Sequence, residues 1–94
     1  FLSPGCTPCA ELLPRVVAAA SGTRVLAVIE PGPESDADYR SALNGHATVV
    51  AGESARALVD AFAVRGFPTA CLVDASGVVT GTGTRVVDAV PVRV

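Results

Sequence analysis

The chain has 94 residues, which is the size of one small domain rather than two. Half of the residues are apolar and 17% are charged, so the composition excludes a chain kept unfolded by excess charge. The net charge of −2 argues against a nucleic-acid-binding face, which needs an excess of basic residues. No apolar run approaches the roughly 18 residues of a membrane-spanning helix. We expect one domain over residues 1–94 and, because the sequence starts with Phe1 rather than Met, a fragment or a processed form.

The first segment predicts the end of a strand, a turn and an amphipathic helix. Residues 1–3 form the strand end, residues 4–5 break it, and Pro8 suits the first helical turn, where its missing N–H would have no partner. Apolar residues then follow a helical spacing, at Cys9, Leu12, Leu13, Val16, Val17 and Ala20. Because this stripe continues past Pro14, we expect a kink there rather than an end. Gly22 is expected to stop the helix.

Strands and helices then alternate along the chain. Residues 25–29 are continuously apolar, which suits a parallel strand buried on both faces. Ser35 is expected to cap a second helix that ends at residues 44–45, an Asn-Gly pair. A short strand over residues 47–50 and a third helix over about residues 53–63 follow. The inner face of the third helix is expected to carry Ala55, Leu58, Val59 and Phe62.

The last predicted elements form a hairpin. Residues 69–73 and 78–82 read as strands around the turn signal of residues 74–77, in which the Asp74 side chain would bond to the turn backbone. Residues 84–94 receive no assignment. The order of elements predicts an α/β fold, with a central mixed sheet flanked by helices.

Cys6 and Cys9 form a C-x-x-C pair at the start of the first predicted helix. Cys9 lies on the apolar stripe and should be buried, whereas Cys6 lies at the helix N-terminus, where unpaired N–H groups point outward. Such a position stabilises a thiolate by about 0.3–1 kcal/mol when exposed and up to about 2 kcal/mol when partly buried. We therefore expect Cys6 to attack a partner disulfide and Cys9 to resolve the resulting mixed disulfide.

Simpler interpretations of the pair are a zinc half-site or two inert core thiols. A structural zinc site normally needs four ligands, and the chain offers only Cys71 and His46 in addition to the pair. We expect Cys71 to be a buried apolar residue of a central strand and His46 to be a solvated loop residue. Glu30 ends a predicted strand, where it is either a proton shuttle for Cys9 or a solvated turn residue. Asp60 is expected on the exposed side of its helix.

Two segments resemble the signatures of the thioredoxin superfamily. The first is FLSPGCTPC at residues 1–9, with Pro14 five positions beyond the second cysteine. The second is VRGFPT at residues 64–69, which is similar to the loop that carries a cis-proline opposite the cysteines. Within the superfamily the chain is most similar to the extracytoplasmic TlpA/ResA-like thiol–disulfide oxidoreductases, and its first residues resemble the MauD branch. Residues 72–79 resemble the strand–turn–strand of that group, and residues 35–50 its β–α insertion.

The resemblance implies a thioredoxin-like fold whose N- and C-terminal elements are truncated. It implies that Phe67 and a cis Pro68 bind the partner's backbone, that Thr7 and Pro8 contribute to this surface, and that Thr69 starts the next strand. The activity implied is disulfide exchange with protein thiols, chiefly as a reductase served by an upstream electron donor. No dissociable cofactor and no metal are implied, since the cysteine pair itself carries two electrons. The implied location is extracytoplasmic, either exported or membrane-anchored.

Two departures from the family pattern affect the surroundings of the pair. Gly5 replaces the usual aromatic residue before the first cysteine, which leaves the thiol less shielded. Glu11 comes two residues after Cys9, whereas many relatives carry a glutamate three residues after, so that Glu11 faces another side of the helix.

Two other functions stay open at this stage. One is a non-enzymatic copper- or zinc-handling module that binds its metal through Cys6, Cys9 and His46. The other is a peroxiredoxin-like peroxidase, which would need Arg65 or Arg15 beside the reactive thiol.

Overall fold

The computed structural model describes residues 1–89, which form eight elements. Seven of them follow the predicted order from the first helix to the hairpin, whereas the strand end predicted at residues 1–3 is only a single bridge between Leu2 and Ile29. The elements are α1 (Thr7–Ala19), β1 (Leu26–Val28), α2 (Ala37–Leu43), β2 (Thr48–Val50), α3 (Gly52–Ala61), β3 (Cys71–Val73), β4 (Val79–Thr82) and α4 (Val86–Ala89). The helix α4 lies in the segment 84–94, for which the sequence pattern predicted no element. Residues 90–94 lie outside the described residues. The segment identified as an insertion, near residues 35–50, contains α2 and β2.

The strands form two small sheets rather than the single central sheet expected. In the first sheet β1 and β2 pair in parallel, with Leu26 opposite Thr48. In the second, β3 and β4 form the predicted antiparallel hairpin, with an irregularity between Leu72 and Val73. The predicted α/β class with mixed strand directions is therefore present, but the described strands do not form one continuous ladder.

The first two residues of the chain bond to β1 on one side and to Thr69, two residues before β3, on the other. The N–H group of Leu2 donates to the carbonyl of Val28 at 2.8 Å, and the N–H of Glu30 donates to the carbonyl of Leu2 at 2.8 Å. On the other side, the N–H of Thr69 donates to the carbonyl of Phe1 at 3.1 Å. Two residues are too few for a regular ladder, which explains the division of the sheet. Thr69 takes part in this bonding, but β3 itself begins two residues later than expected.

The core lies between α1, α2 and the parallel sheet. As the spacing predicts, α1 continues through Pro14 and buries one face. Its buried residues are Cys9, Leu12, Val16 and Ala19. They form the core with Leu2, Ala27, Ile29, Tyr39 and Leu43. Leu13 and Val17, also on the predicted stripe, are only partly buried. The helix ends at Ala19, three residues before the expected stop at Gly22.

Two apolar residues expected inside the core are exposed instead. Leu26 in β1 is 52% exposed, and Phe62, just after α3, is 40% exposed. Both line an open apolar cleft of about 640 Å³, together with Leu72 and Val73 of the hairpin. Ala27 and Ile29 of the first sheet region pack against α1 and α2, whereas Leu26, the first residue of β1, faces this cleft. In α3 only Ala55 is fully buried.

The predicted cap of the second helix is shifted by one residue, whereas the predicted role of Asp74 in the hairpin turn is confirmed. Asp36 rather than Ser35 is the N-cap of α2, although the Ser35 hydroxyl accepts a hydrogen bond from the Ala37 N–H at 3.2 Å. The Asp74 carboxylate accepts hydrogen bonds from the N–H groups of Ser76, at 2.9 Å, and Val78, at 3.0 Å. These bonds lower the pKa of Asp74 and confirm its structural role in the hairpin turn.

Candidate functional site

The two cysteines of the C-x-x-C pair lie at the N-terminus of α1, as predicted. Cys6 is the N-cap residue, with an extended backbone (φ −90°, ψ 117°), and Pro8 occupies the first helical turn. Both cysteines are free thiols, and they approach each other to 3.0 Å. Cys6 is half-buried, whereas Cys9 is 0% exposed. The pair therefore has one accessible and one inaccessible sulfur.

The buried thiol is held in its neutral form. Burial raises the pKa of Cys9 to about 11, and the hydrogen bond with Cys6 acts in the same direction. The N–H group of Ser3 donates to the Cys9 sulfur at 3.5 Å, which partly opposes this shift because it favours the thiolate. At neutral pH Cys9 therefore keeps its proton until a reaction step removes it.

A loop distant in sequence lies against the accessible thiol. The Cys6 thiol lies 3.8 Å from the carbonyl oxygen of Phe67, to which it donates a weak hydrogen bond. The peptide bond between Phe67 and Pro68 is cis, which confirms the expected isomer. The Thr69 hydroxyl, which donates to the carbonyl of Gly66 at 2.6 Å, closes this loop. The structure thus brings together the two segments that carry the sequence signatures.

A shallow depression of about 260 Å³ lies beside Cys6. Its lining consists of Gly5, Cys6, Thr7, Ala10 and Tyr39. Thr7, which the resemblance assigns to the partner-binding surface, therefore borders the Cys6 thiol. Pro8 is exposed, one residue further along α1.

Tyr39 is a site residue that the sequence pattern did not indicate. Its side chain belongs to α2 and is 7% exposed, and its hydroxyl lies 3.3 Å from the carbonyl oxygen of Cys6. Burial raises the pKa of Tyr39, and the negative charge that Cys9 and Cys6 carry as thiolates acts in the same direction. The only available signal was that this chain contains a single tyrosine, and nothing local connects that residue to the cysteines.

The other candidate metal ligands do not gather at the pair. His46 is exposed just after α2, as expected for a loop residue. Cys71 is half-buried rather than buried, because β3 borders the apolar cleft instead of the centre of a sheet. Within residues 1–89, no group of three His, Cys, Asp or Glu side chains could hold a metal ion. The three-ligand metal site proposed from Cys6, Cys9 and His46 therefore lacks geometric support.

The charged residues that the sequence singled out are either exposed, engaged in an ion pair or half-buried. Arg15 forms an ion pair with Asp88 of α4, so its guanidinium is engaged there. Arg65, the other arginine of the peroxidase hypothesis, is exposed, and so are Asp60 and Glu11. Glu30 is half-buried after β1, and its role as a proton shuttle stays a prediction.

Comparisons with known proteins find no match to this chain among protein-family models, curated proteins or solved structures.

None of the helices formed by the described residues combines the length and the apolar character that crossing a membrane requires.

Proposed function

We propose that this protein is a thioredoxin-like thiol–disulfide oxidoreductase in which Cys6 is the nucleophile and Cys9 the resolving thiol. One observation carries the proposal: two thiols lie 3.0 Å apart at a helix N-terminus, one accessible and the other fully buried. An inert pair would not need this asymmetry. In a disulfide exchange, by contrast, the accessible sulfur must reach the partner, and the buried sulfur must stay close to it in order to attack the mixed disulfide afterwards.

The cycle balances without a cofactor. The Cys6 thiolate attacks one sulfur of a partner disulfide, which forms a mixed disulfide and releases the other partner sulfur as a thiolate. Cys9 then loses its proton to solvent or to that thiolate and attacks the Cys6 sulfur. The Cys6–Cys9 bond forms at the usual length of about 2.05 Å, and the partner leaves as a dithiol. The partner gains two electrons, and an upstream dithiol donor returns them to the pair.

The surroundings of Cys6 support a protein partner. The carbonyl oxygen of Phe67, 3.8 Å from the thiol, is a main-chain acceptor that an extended segment of the partner could bind as an added strand. Thr7 borders the depression beside the thiol, and Pro8 is exposed next to it. The family resemblance supports the reductase direction and an exported or membrane-anchored location.

The deciding experiment is reduction of a model protein disulfide by dithiothreitol, catalysed by the wild type and by single-cysteine variants. Cys6→Ser should abolish catalysis, because no nucleophile remains. Cys9→Ser should accumulate a mixed disulfide with the partner, which is visible on non-reducing gels. Cys71→Ser is the matched control and should keep full activity, since Cys71 lies in the hairpin strand β3. Full activity of Cys6→Ser would overturn the proposal.

A further inference from the structure

The hydroxyl group of Tyr39 connects both ends of the turn that carries Cys6. Its oxygen lies 3.4 Å from the carbonyl oxygen of Ser3 and 3.3 Å from that of Cys6, so that one proton is shared between two acceptors. The same turn is closed by a backbone hydrogen bond from the Cys6 N–H to the Ser3 carbonyl, at 3.2 Å. Since the Ser3 N–H also donates to the Cys9 sulfur at 3.5 Å, the turn contacts both thiols.

The position of this hydroxyl is set by the core. The Tyr39 side chain belongs to the buried cluster that includes Cys9, Leu12 and Leu43. A ring held on several sides has lost most of its rotational freedom already, so its hydroxyl bonds to the turn at little further entropic cost. The helix α2 therefore holds the Cys6 turn in place through a single rigid side chain.

We propose that Tyr39 is a positioning residue for the thiol pair, and this inference rests on the proposed redox function. By holding the main chain at Ser3 and Cys6, Tyr39 keeps the Cys6 sulfur close to the Cys9 sulfur and thereby favours formation of their disulfide. The two cysteines already approach each other to 3.0 Å, and their disulfide would need the sulfur atoms at about 2.05 Å. A turn free to move would spread the Cys6 sulfur over more positions and lower the effective concentration of one thiol at the other.

Removing the Tyr39 hydroxyl should free the Cys6 turn to move, but it should leave no carbonyl of the turn without a hydrogen-bond donor. Without it, the Ser3 carbonyl still accepts from the Cys6 N–H, and the Cys6 carbonyl still accepts from the Ala10 N–H at 3.1 Å. Tyr39→Phe therefore leaves neither carbonyl without a donor and preserves the ring that fills the core. The variant should fold, and its defect should concern the cysteine pair.

The test is the equilibrium of the pair with glutathione, in which reduced protein and oxidised glutathione yield the Cys6–Cys9 disulfide and two molecules of reduced glutathione. We expect Tyr39→Phe to lower this equilibrium constant by a factor of about two or more, with about tenfold as the upper limit, because the hydroxyl also bonds to the turn in the reduced protein and only the difference between the two states counts. Ser21→Ala is the matched control, because the Ser21 hydroxyl also donates to a main-chain carbonyl, that of Ala18 at 2.8 Å, but at the far end of α1. Its equilibrium constant should equal that of the wild type.

Melting temperatures of both redox states separate positioning from general stabilisation. A positioning role predicts that Tyr39→Phe lowers the melting temperature of the oxidised protein more than that of the reduced protein. Equal decreases with an unchanged equilibrium constant would overturn the inference and leave the proposed function intact. A wild-type protein that forms no Cys6–Cys9 disulfide at all would overturn both.

Discussion

The thiol of Cys6 lies 3.8 Å from the carbonyl oxygen of Phe67, a residue 61 positions further along the chain. This contact places a main-chain acceptor beside the accessible sulfur. Cys9 lies beneath Cys6 in the core and is fully buried. A partner that binds the Phe67 backbone would therefore meet Cys6 first and would reach Cys9 only through Cys6.

This arrangement predicts that the two thiols differ in their rate of alkylation. With a pKa of about 11, only about one Cys9 in ten thousand is a thiolate at pH 7, and that sulfur is also inaccessible. We expect iodoacetamide to modify Cys6 at least about tenfold faster than Cys9 in the native protein. Tandem mass spectrometry of samples quenched over time measures both rates. In denaturant the difference should disappear, and equal native rates would contradict the asymmetry.

The buried thiol also makes stability depend on pH in the alkaline range. Because folding raises the pKa of Cys9 from 9.0 to about 11, the unfolded chain loses this proton first. The neutral Cys9 thiol therefore contributes roughly 2–3 kcal/mol to the free energy of unfolding. This contribution is fully present below pH 9 and is lost as the pH rises through about 11. Urea unfolding across this range measures the slope. Cys9→Ala should be less stable at neutral pH, since a buried side chain is truncated, but should show a shallower alkaline decline. An identical decline would contradict the assignment to Cys9.

The backbone conformation of Gly5, next to Cys6, should make any side chain at this position unfavourable. Its φ of +86° is unfavourable for other residues, and a Cβ atom there would lie 2.8 Å from the Cγ atom of Glu34. We expect Gly5→Ala to destabilise the protein by about 1–2 kcal/mol, mainly through the backbone, because the Glu34 side chain can move. The double variant Gly5→Ala with Glu34→Ala should therefore recover only a minor part of the loss. Gly32→Ala is the control, since its Cβ would meet nothing within 4 Å, and it should be close to neutral. Full recovery in the double variant would show that the clash dominates.

We expect the stability that the Asp74 carboxylate gives to the hairpin turn to be lost in acid. Hydrogen bonds from the Val78 N–H and from the hydroxyl and N–H of Ser76 hold its pKa below 3.8. This stabilisation is therefore present above pH 3.8 and is lost as the pH falls through the lower folded-state pKa. Asp74→Ala should lower the melting temperature at neutral pH, and its difference from the wild type should narrow in acid. Asp60→Ala, which removes an exposed carboxylate from α3, should show no such loss at neutral pH. A constant difference at all pH values would rule out the carboxylate as the cause.

Local sequence signals predicted the elements well. The spacing of apolar residues and the placement of Pro8 indicated α1 and its buried face, and the turn residues 74–77 indicated the hairpin. The errors concern long-range packing. Leu26 lies in a continuous apolar run and is half exposed, because its surroundings depend on which segments cover β1. The sheet divides for a related reason, since only Phe1 and Leu2 lie between its two halves.

The sequence by itself determined that Cys9 belongs to the apolar stripe of a helix and that Cys6 precedes this stripe by one turn. Both properties follow from local periodicity, which the backbone geometry of a helix converts directly into burial. Only the tertiary structure decided that Tyr39 meets Cys6 across 33 residues of chain, whereas the approach of Phe67, 61 residues away, was expected from the family resemblance and not from any local pattern. Such contacts depend on how α2 and the loop at Pro68 pack around α1, and no periodicity within a single segment encodes that packing.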